Sequence, residues 1–105
     1  MKTIKVVYNA CFGGFGLSKK AALMLRDLGV TDVNLEYGYI DENTCPRHDE
    51  RLIQVVEELG KDASGRHAKL EIHQLSGNRY RIDEYDGNES VIEPYEAETE
   101  WITVK

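Results

Sequence analysis

Cysteine, proline and tryptophan are scarce in this sequence: two, two and one in 105 residues. Cys11 and Cys45 are too few for a secreted disulfide scaffold, and a reducing compartment keeps both as thiols. No apolar run approaches the roughly 20 residues that a membrane helix needs, and the opening MKTIKVVYNA is too short and too strand-like for a signal peptide. A soluble, cytoplasmic protein with no membrane partner is therefore expected. Positive charge is also in deficit. The formal net charge of −6 argues against general nucleic-acid binding, which draws most of its affinity from Lys and Arg neutralising phosphates. The deficit is uneven, because between Ile82 and Val104 stand Asp83, Glu84, Asp86, Glu89, Glu93, Glu96, Glu98 and Glu100 with no basic residue among them.

What is present is enough to fold. At 41% hydrophobic and 30% charged, the chain has the composition of a globular protein rather than a disordered one, and its length suits one domain over residues 1–105. Ile4, Val6 and Tyr8 alternate as a first strand. Ser18 caps a helix in which Ala21, Ala22, Leu25 and Leu28 recur at helical spacing, and Gly29 stops it. VNLEYGYI puts Leu35, Tyr37 and Tyr39 on one face of a second strand, with Gly38 as its weak point. Leu52, Val55, Val56 and Leu59 form the stripe of a second helix, with Asp49 and Glu50 at its start and Gly60 after it. KLEIHQL and the segment around Tyr80 and Ile82 read as a hairpin joined by SGN, with another turn at Asp86-Gly87. Short runs at Val91–Ile92 and Trp101–Val104 then complete a C-terminal meander. The expected class is α+β: a small, mostly antiparallel sheet with two helices packed on one face.

GGFGLS at Gly13 to Ser18, RHD at Arg47 to Asp49 before a helix ending ELG at Glu58 to Gly60, and YRIDEYDGNE at Tyr80 to Glu89 are separately weak motifs. Taken together they cover most of the chain, which resembles a family of small, often phage-encoded proteins. The resemblance implies a phage or mobile-element origin and transfers no catalytic role.

NACFGGFGLSKK is the best candidate for a site. Glycines before a helix start let backbone N–H groups approach an anion, and Lys19 and Lys20 add charge where it opposes the helix dipole. The ligand residues on this reading are Gly13, Gly14, Gly16, Ser18, Lys19 and Lys20. The segment matches neither the phosphate-loop nor the dinucleotide fingerprint, however, and a sharp turn with Phe12 and Phe15 packed and Ser18 as cap is the more economical account. Arg47, His48 and Arg51 are second contributors, through the forked guanidinium and the titratable imidazole. The competing reading has Asp49 as a cap and Arg47 in a surface ion pair. No nucleophile with a positioned base is visible, so no catalytic residue is assigned. Cys45 and His48 have zinc-ligand spacing but lack a second pair, so no metal or cofactor is assigned.

The acidic half is a solvated face, a surface for a basic host protein, or a mimic of nucleic-acid charge. Tyr85, Glu93, Tyr95, Glu96, Glu98 and Trp101 are its candidate partner residues, aromatics being enriched at interfaces. The first function expected is capture of a phosphate-bearing small molecule at the glycine loop, without catalysis; the alternatives are inhibition of a host protein through the acidic half, and a phosphoryl- or nucleotide-processing enzyme with His48 as general acid or base.

Overall fold

The computed structural model describes residues 4–93 and 102–104. Strand β1 (Lys5–Asn9) is followed by helix α1 (Lys19–Asp27), helix α2 (Glu50–Leu59), a 3-10 turn (Gly60–Ala63), and strands β2 (Leu70–Gln74), β3 (Arg79–Tyr85), β4 (Asn88–Ile92) and β5 (Ile102–Thr103). The class is α+β, as expected. The strands form two small antiparallel sheets, β1-β2 and β4-β3-β5.

Both helices begin and end where their sequence signals lie. Ser18 Oγ accepts from Ala21 N, Asp49 caps α2 through Arg51 N, and Gly29 and Gly60 follow the helices at positive φ. α2 packs on β1 and β2, and α1 on α2 and the 3-10 turn. Leu52, Val55, Val56, Ala21, Ala22 and Leu25 are buried with Val7, Leu70 and Cys45 in the main core.

β1 is buried on both faces. Adjacent strand residues point to opposite sides, so Val7 joins the helical core while Val6 packs with Leu75 and Tyr80 in a second cluster, which Ile82 and Val91 flank. This arrangement departs from the expected hairpin. β2 pairs with β1, in the register Lys5↔Gln74 to Asn9↔Leu70, and not with β3. SGN instead carries the chain from one sheet to the other, where Leu75 N donates to Ile4 O and Ser76 N to Glu93 Oε1. The buried side of β1 holds β2 more strongly than a local turn can. The Asp86-Gly87 turn does close a hairpin, joining β3 to β4 with both turn residues at positive φ. β5 pairs on the other edge of β3.

VNLEYGYI is not a strand. Val33 and Ile40 form a single bridge around a tight turn, in which Asn34 Oδ1 accepts from Glu36 N and Tyr37 N and Asn34 O accepts from Gly38 N. Gly38 sits at φ +76, where an added Cβ would collide with the Leu17 backbone. No side chain fits there, and the positive φ ends the alternation.

The edge of β1 that β2 leaves open is closed by charge. Val7 N donates to Arg47 O at 2.9 Å, Arg47 Nη1 to Val7 O at 3.3 Å, and Asn9 N to Glu89 Oε1 at 2.8 Å. Arg47 and Glu89 meet in a forked pair at 2.6 and 2.8 Å, both buried. Arg47 is therefore in an ion pair, but not a surface one. Removing one member strands the other charge, so Glu89→Ala should cost about 3–5 kcal/mol in urea denaturation. The joint replacement Arg47→Met with Glu89→Leu should recover most of that loss, and equal losses in the two variants would refute the assignment.

Candidate functional site

The glycine loop is first a place where backbones meet. A Cβ on Gly13 would collide with the carbonyl of His67, and one on Gly87 would lie 2.5 Å from Phe12 O. Leu17 N donates to Gly38 O, Gly65 N to Gly16 O, and Ser18 N to Ala63 O. Asn9 holds the start of the loop: its Nδ2 donates to Cys11 O and Gly87 O, both at 2.7 Å, and its Oδ1 accepts from Lys69 N. The Phe15 ring lies 3.8 Å from the Arg47 guanidinium carbon, a cation–π contact that ties the loop to the buried ion pair. The conformational role foreseen for the glycines is thus present. Phe12, expected to pack, is 64% exposed.

The same loop lines a cavity of about 560 Å³ with Lys19, Glu36, Tyr37, Tyr39, Arg66 and His67. That volume lies within the range of small-ligand sites. Among the described residues, the N–H groups of Gly14, Phe15 and Gly16 donate to no protein acceptor, although Gly16 is buried. Buried backbone donors are normally paired. Lys19 and Arg66 are exposed and carry no ion pair among the described residues. Tyr37 and Tyr39 are stacked on each other, ring centroids 6.2 Å apart and planes 25° apart, yet each is about 60% exposed.

The residues expected from the sequence divide. Gly13, Gly14, Gly16, Ser18 and Lys19 come together on this cavity, whereas Lys20 is exposed and does not line it. Ser18 is not a free donor, because its hydroxyl accepts from Ala21 N and donates to Asp62 O. Arg47 is consumed by Glu89, and Arg51 is held by the Asp49 carboxylate at 2.8 and 3.0 Å. His48 lies on a different groove, with Ile4, Ile53 and Val104, and its Nδ1 is 2.8 Å from Tyr80 Oη. None of these three lines the glycine-loop cavity, although Arg47 touches the loop through Phe15. Arg66, Tyr37, Tyr39 and Glu36 line the cavity as well, although no motif in the sequence points to them. For the tyrosines the signal is the glycine between them, which breaks the strand alternation that their spacing suggests.

Of the partner residues, Tyr85 is 79% exposed on the β3–β4 hairpin. Glu93 is engaged, its carboxylate taking His73 Nε2 at 2.9 Å and Ser76 N at 2.7 Å. Tyr95, Glu96, Glu98 and Trp101 lie outside the described residues. Among the described residues no three of His, Cys, Asp and Glu gather as a metal site. No helix among them is long and apolar enough to cross a membrane. Comparison with family models, curated proteins and solved structures finds no match to this chain.

Burial sets the titration of the RHD region. It pushes the Cys45 thiol up to about 11, helped by Asp49, and the Tyr80 phenol up to about 12, helped by Glu42. The phenol therefore stays protonated, and its oxygen shares a hydrogen bond with His48 Nδ1. Burial holds the His48 imidazole below its ordinary value, against the opposing charge of Asp49. The Arg51 hydrogen bond holds the Asp49 carboxyl low, and the His73 hydrogen bond does so for Glu93. The stability that neutral His48 contributes is complete above the unfolded value near pH 6.5 and is lost as pH falls toward the lowered folded one. That of Asp49 and Glu93 is complete above about pH 4.3 and is lost as pH falls through their lowered values. Melting temperature should therefore decline in two stages on acidification. His48→Gln should flatten the stage just below about pH 6.5 and spare the more acidic one, as thermal melts across pH 3 to 8 would show.

Proposed function

We propose that the protein is a small binding protein that captures a phosphate-bearing anion in the glycine-loop cavity. The observation that carries this reading is the meeting, around one cavity, of loop residues whose N–H groups have no protein acceptor among the described residues and two cations, Lys19 and Arg66, without ion pairs there. Free N–H groups and unpaired cations together bind an oxyanion through charge-assisted hydrogen bonds. Capture without chemistry fits the side chains at hand. The Ser18 hydroxyl is bonded on both sides, and the Cys45 thiol is buried and protonated. The resemblance to phage-encoded proteins makes an accessory factor that sequesters its ligand the natural setting.

Calorimetric titration with pyrophosphate at low salt tests this. Wild type should bind saturably, and Lys19→Gln with Arg66→Gln should weaken binding by well over tenfold, since each charge-assisted contact is worth about 1.5–3 kcal/mol. Lys20→Gln should change little. Both lysines and Arg66 are exposed, so the variants should melt with the wild type. Binding left unchanged by the double variant would place the anion elsewhere.

A further inference from the structure

A bare oxyanion does not account for the whole cavity. Tyr37 and Tyr39 stand on its rim with about 60% of their surfaces in water, the kind of adjacent exposed aromatic surface that calls for an explanation. Their turn is well fixed. Asn34 ties it through four hydrogen bonds, to Glu36 N, Tyr37 N, Gly38 N and Tyr39 O, and Leu17 N donates to Gly38 O to join it to the glycine loop. The turn that carries both rings is thus tied by hydrogen bonds to the glycine loop. Glu36 is the other feature a simple anion leaves unexplained. Glu36 lines the same cavity with no ion pair among the described residues, and its charge would repel phosphate unless the ligand also brought hydroxyl donors.

We infer that the ligand is a nucleotide: its base stacks on the Tyr37–Tyr39 pair, its ribose hydroxyls donate to Glu36, and its phosphate takes Lys19, Arg66 and the loop amides. Base stacking on an aromatic ring is tolerant of base identity, and a carboxylate accepting from ribose hydroxyls is a recurrent partner in nucleotide sites. This inference rests on the reading of the cavity as an anion site and adds to it the class of molecule. Stacking requires the ring and not the hydroxyl, so Phe should replace either Tyr without loss.

The test compares adenosine 5′-monophosphate with ribose 5-phosphate by calorimetry, on wild type, on Tyr37→Ala with Tyr39→Ala, on the two Phe replacements, and on Lys19→Gln with Arg66→Gln. Wild type should bind the nucleotide roughly tenfold to a hundredfold more tightly than the sugar phosphate, on the scale of one stacked base. The Ala pair should erase that advantage while leaving the sugar phosphate within about twofold, and the Phe pair should preserve it. The cation variant should weaken both ligands. The side chains changed are exposed, so matching thermal melts establish that each variant is folded. Equal affinity of wild type for the two ligands, or indifference of the nucleotide to the Ala pair, overturns the nucleotide inference and leaves anion capture standing. Failure of both ligands to bind wild type overturns both.

Discussion

The buried pair of Arg47 and Glu89 is the contact on which the assembly of the two sheets depends. β1 has β2 on one edge only, and its other edge presents backbone groups that must find partners when buried. Arg47 supplies a carbonyl and a guanidinium N–H, and Glu89 a carboxylate oxygen, so the edge is finished by the approach to α2 and by β4 rather than by another strand. Withdrawing two charges from water is expensive, and such a pair is weak as a net source of stability. What it gives is position. A forked guanidinium fits a carboxylate in one geometry, so β4, β1 and the start of α2 are fixed relative to one another.

That position is passed on to the glycine loop. Phe15 lies on the Arg47 guanidinium, Asn9 bonds the loop's first carbonyl, and Gly87 of the β3–β4 turn presses on Phe12 and Gly14. The loop is consequently held from behind by side chains and backbone of three separate segments. A loop so restrained loses little entropy when a ligand settles on it, and preorganisation of this kind turns a few hydrogen bonds into useful affinity. Two of the glycines are explained by the fold itself. Gly13 is needed for close approach to the His67 carbonyl, whereas Gly14 has open space where its Cβ would be and needs only its φ of +91.

Local features of the fold were legible and long-range ones were not. Helix stripes, both caps, both glycine stops and the Asp86-Gly87 turn depend on residues within a few positions of each other, and the structure has them where the pattern puts them. The partner of Arg47 is 42 residues away, inside a run of acids that reads as one solvated face. Nothing in the spacing separates Glu89, which is buried, from Asp86, which is exposed. The β2–β3 hairpin failed for a related reason: turn chemistry at SGN is compatible with pairing, but β1 offers β2 a longer buried ladder. At the candidate site, five of the nine expected ligand residues share one cavity, all from the contiguous loop. Arg47, His48 and Arg51 do not, because adjacency in sequence around a helix start says little about which wall each side chain faces. Tyr37 and Tyr39 fit a period of two, and only the backbone of Gly38 revealed that they belong to a turn.

Lys19 and Lys20 show where folding and binding pull apart. They occupy the first turn of α1, which holds no acidic residue, so two cations sit at the positive end of the helix dipole. Each such placement costs about 0.3–1 kcal/mol when exposed, a small but real charge against the free protein. On the proposed reading the conflict would reverse for Lys19 with an anion in the cavity, since the dipole, the loop amides and the ammonium would then act on the same negative charge. Part of the binding energy is in that case relief of a repulsion already present in the fold. Lys20 points to no such relief, because it does not line the cavity, and nothing in the structure explains it. The distinction bears on mechanism: a residue kept for solubility would be indifferent to the neighbouring loop, whereas Lys19 shares its cavity with the unpaired Gly14 and Gly16 amides. Its unfavourable place in the helix is the same place from which it can reach a ligand.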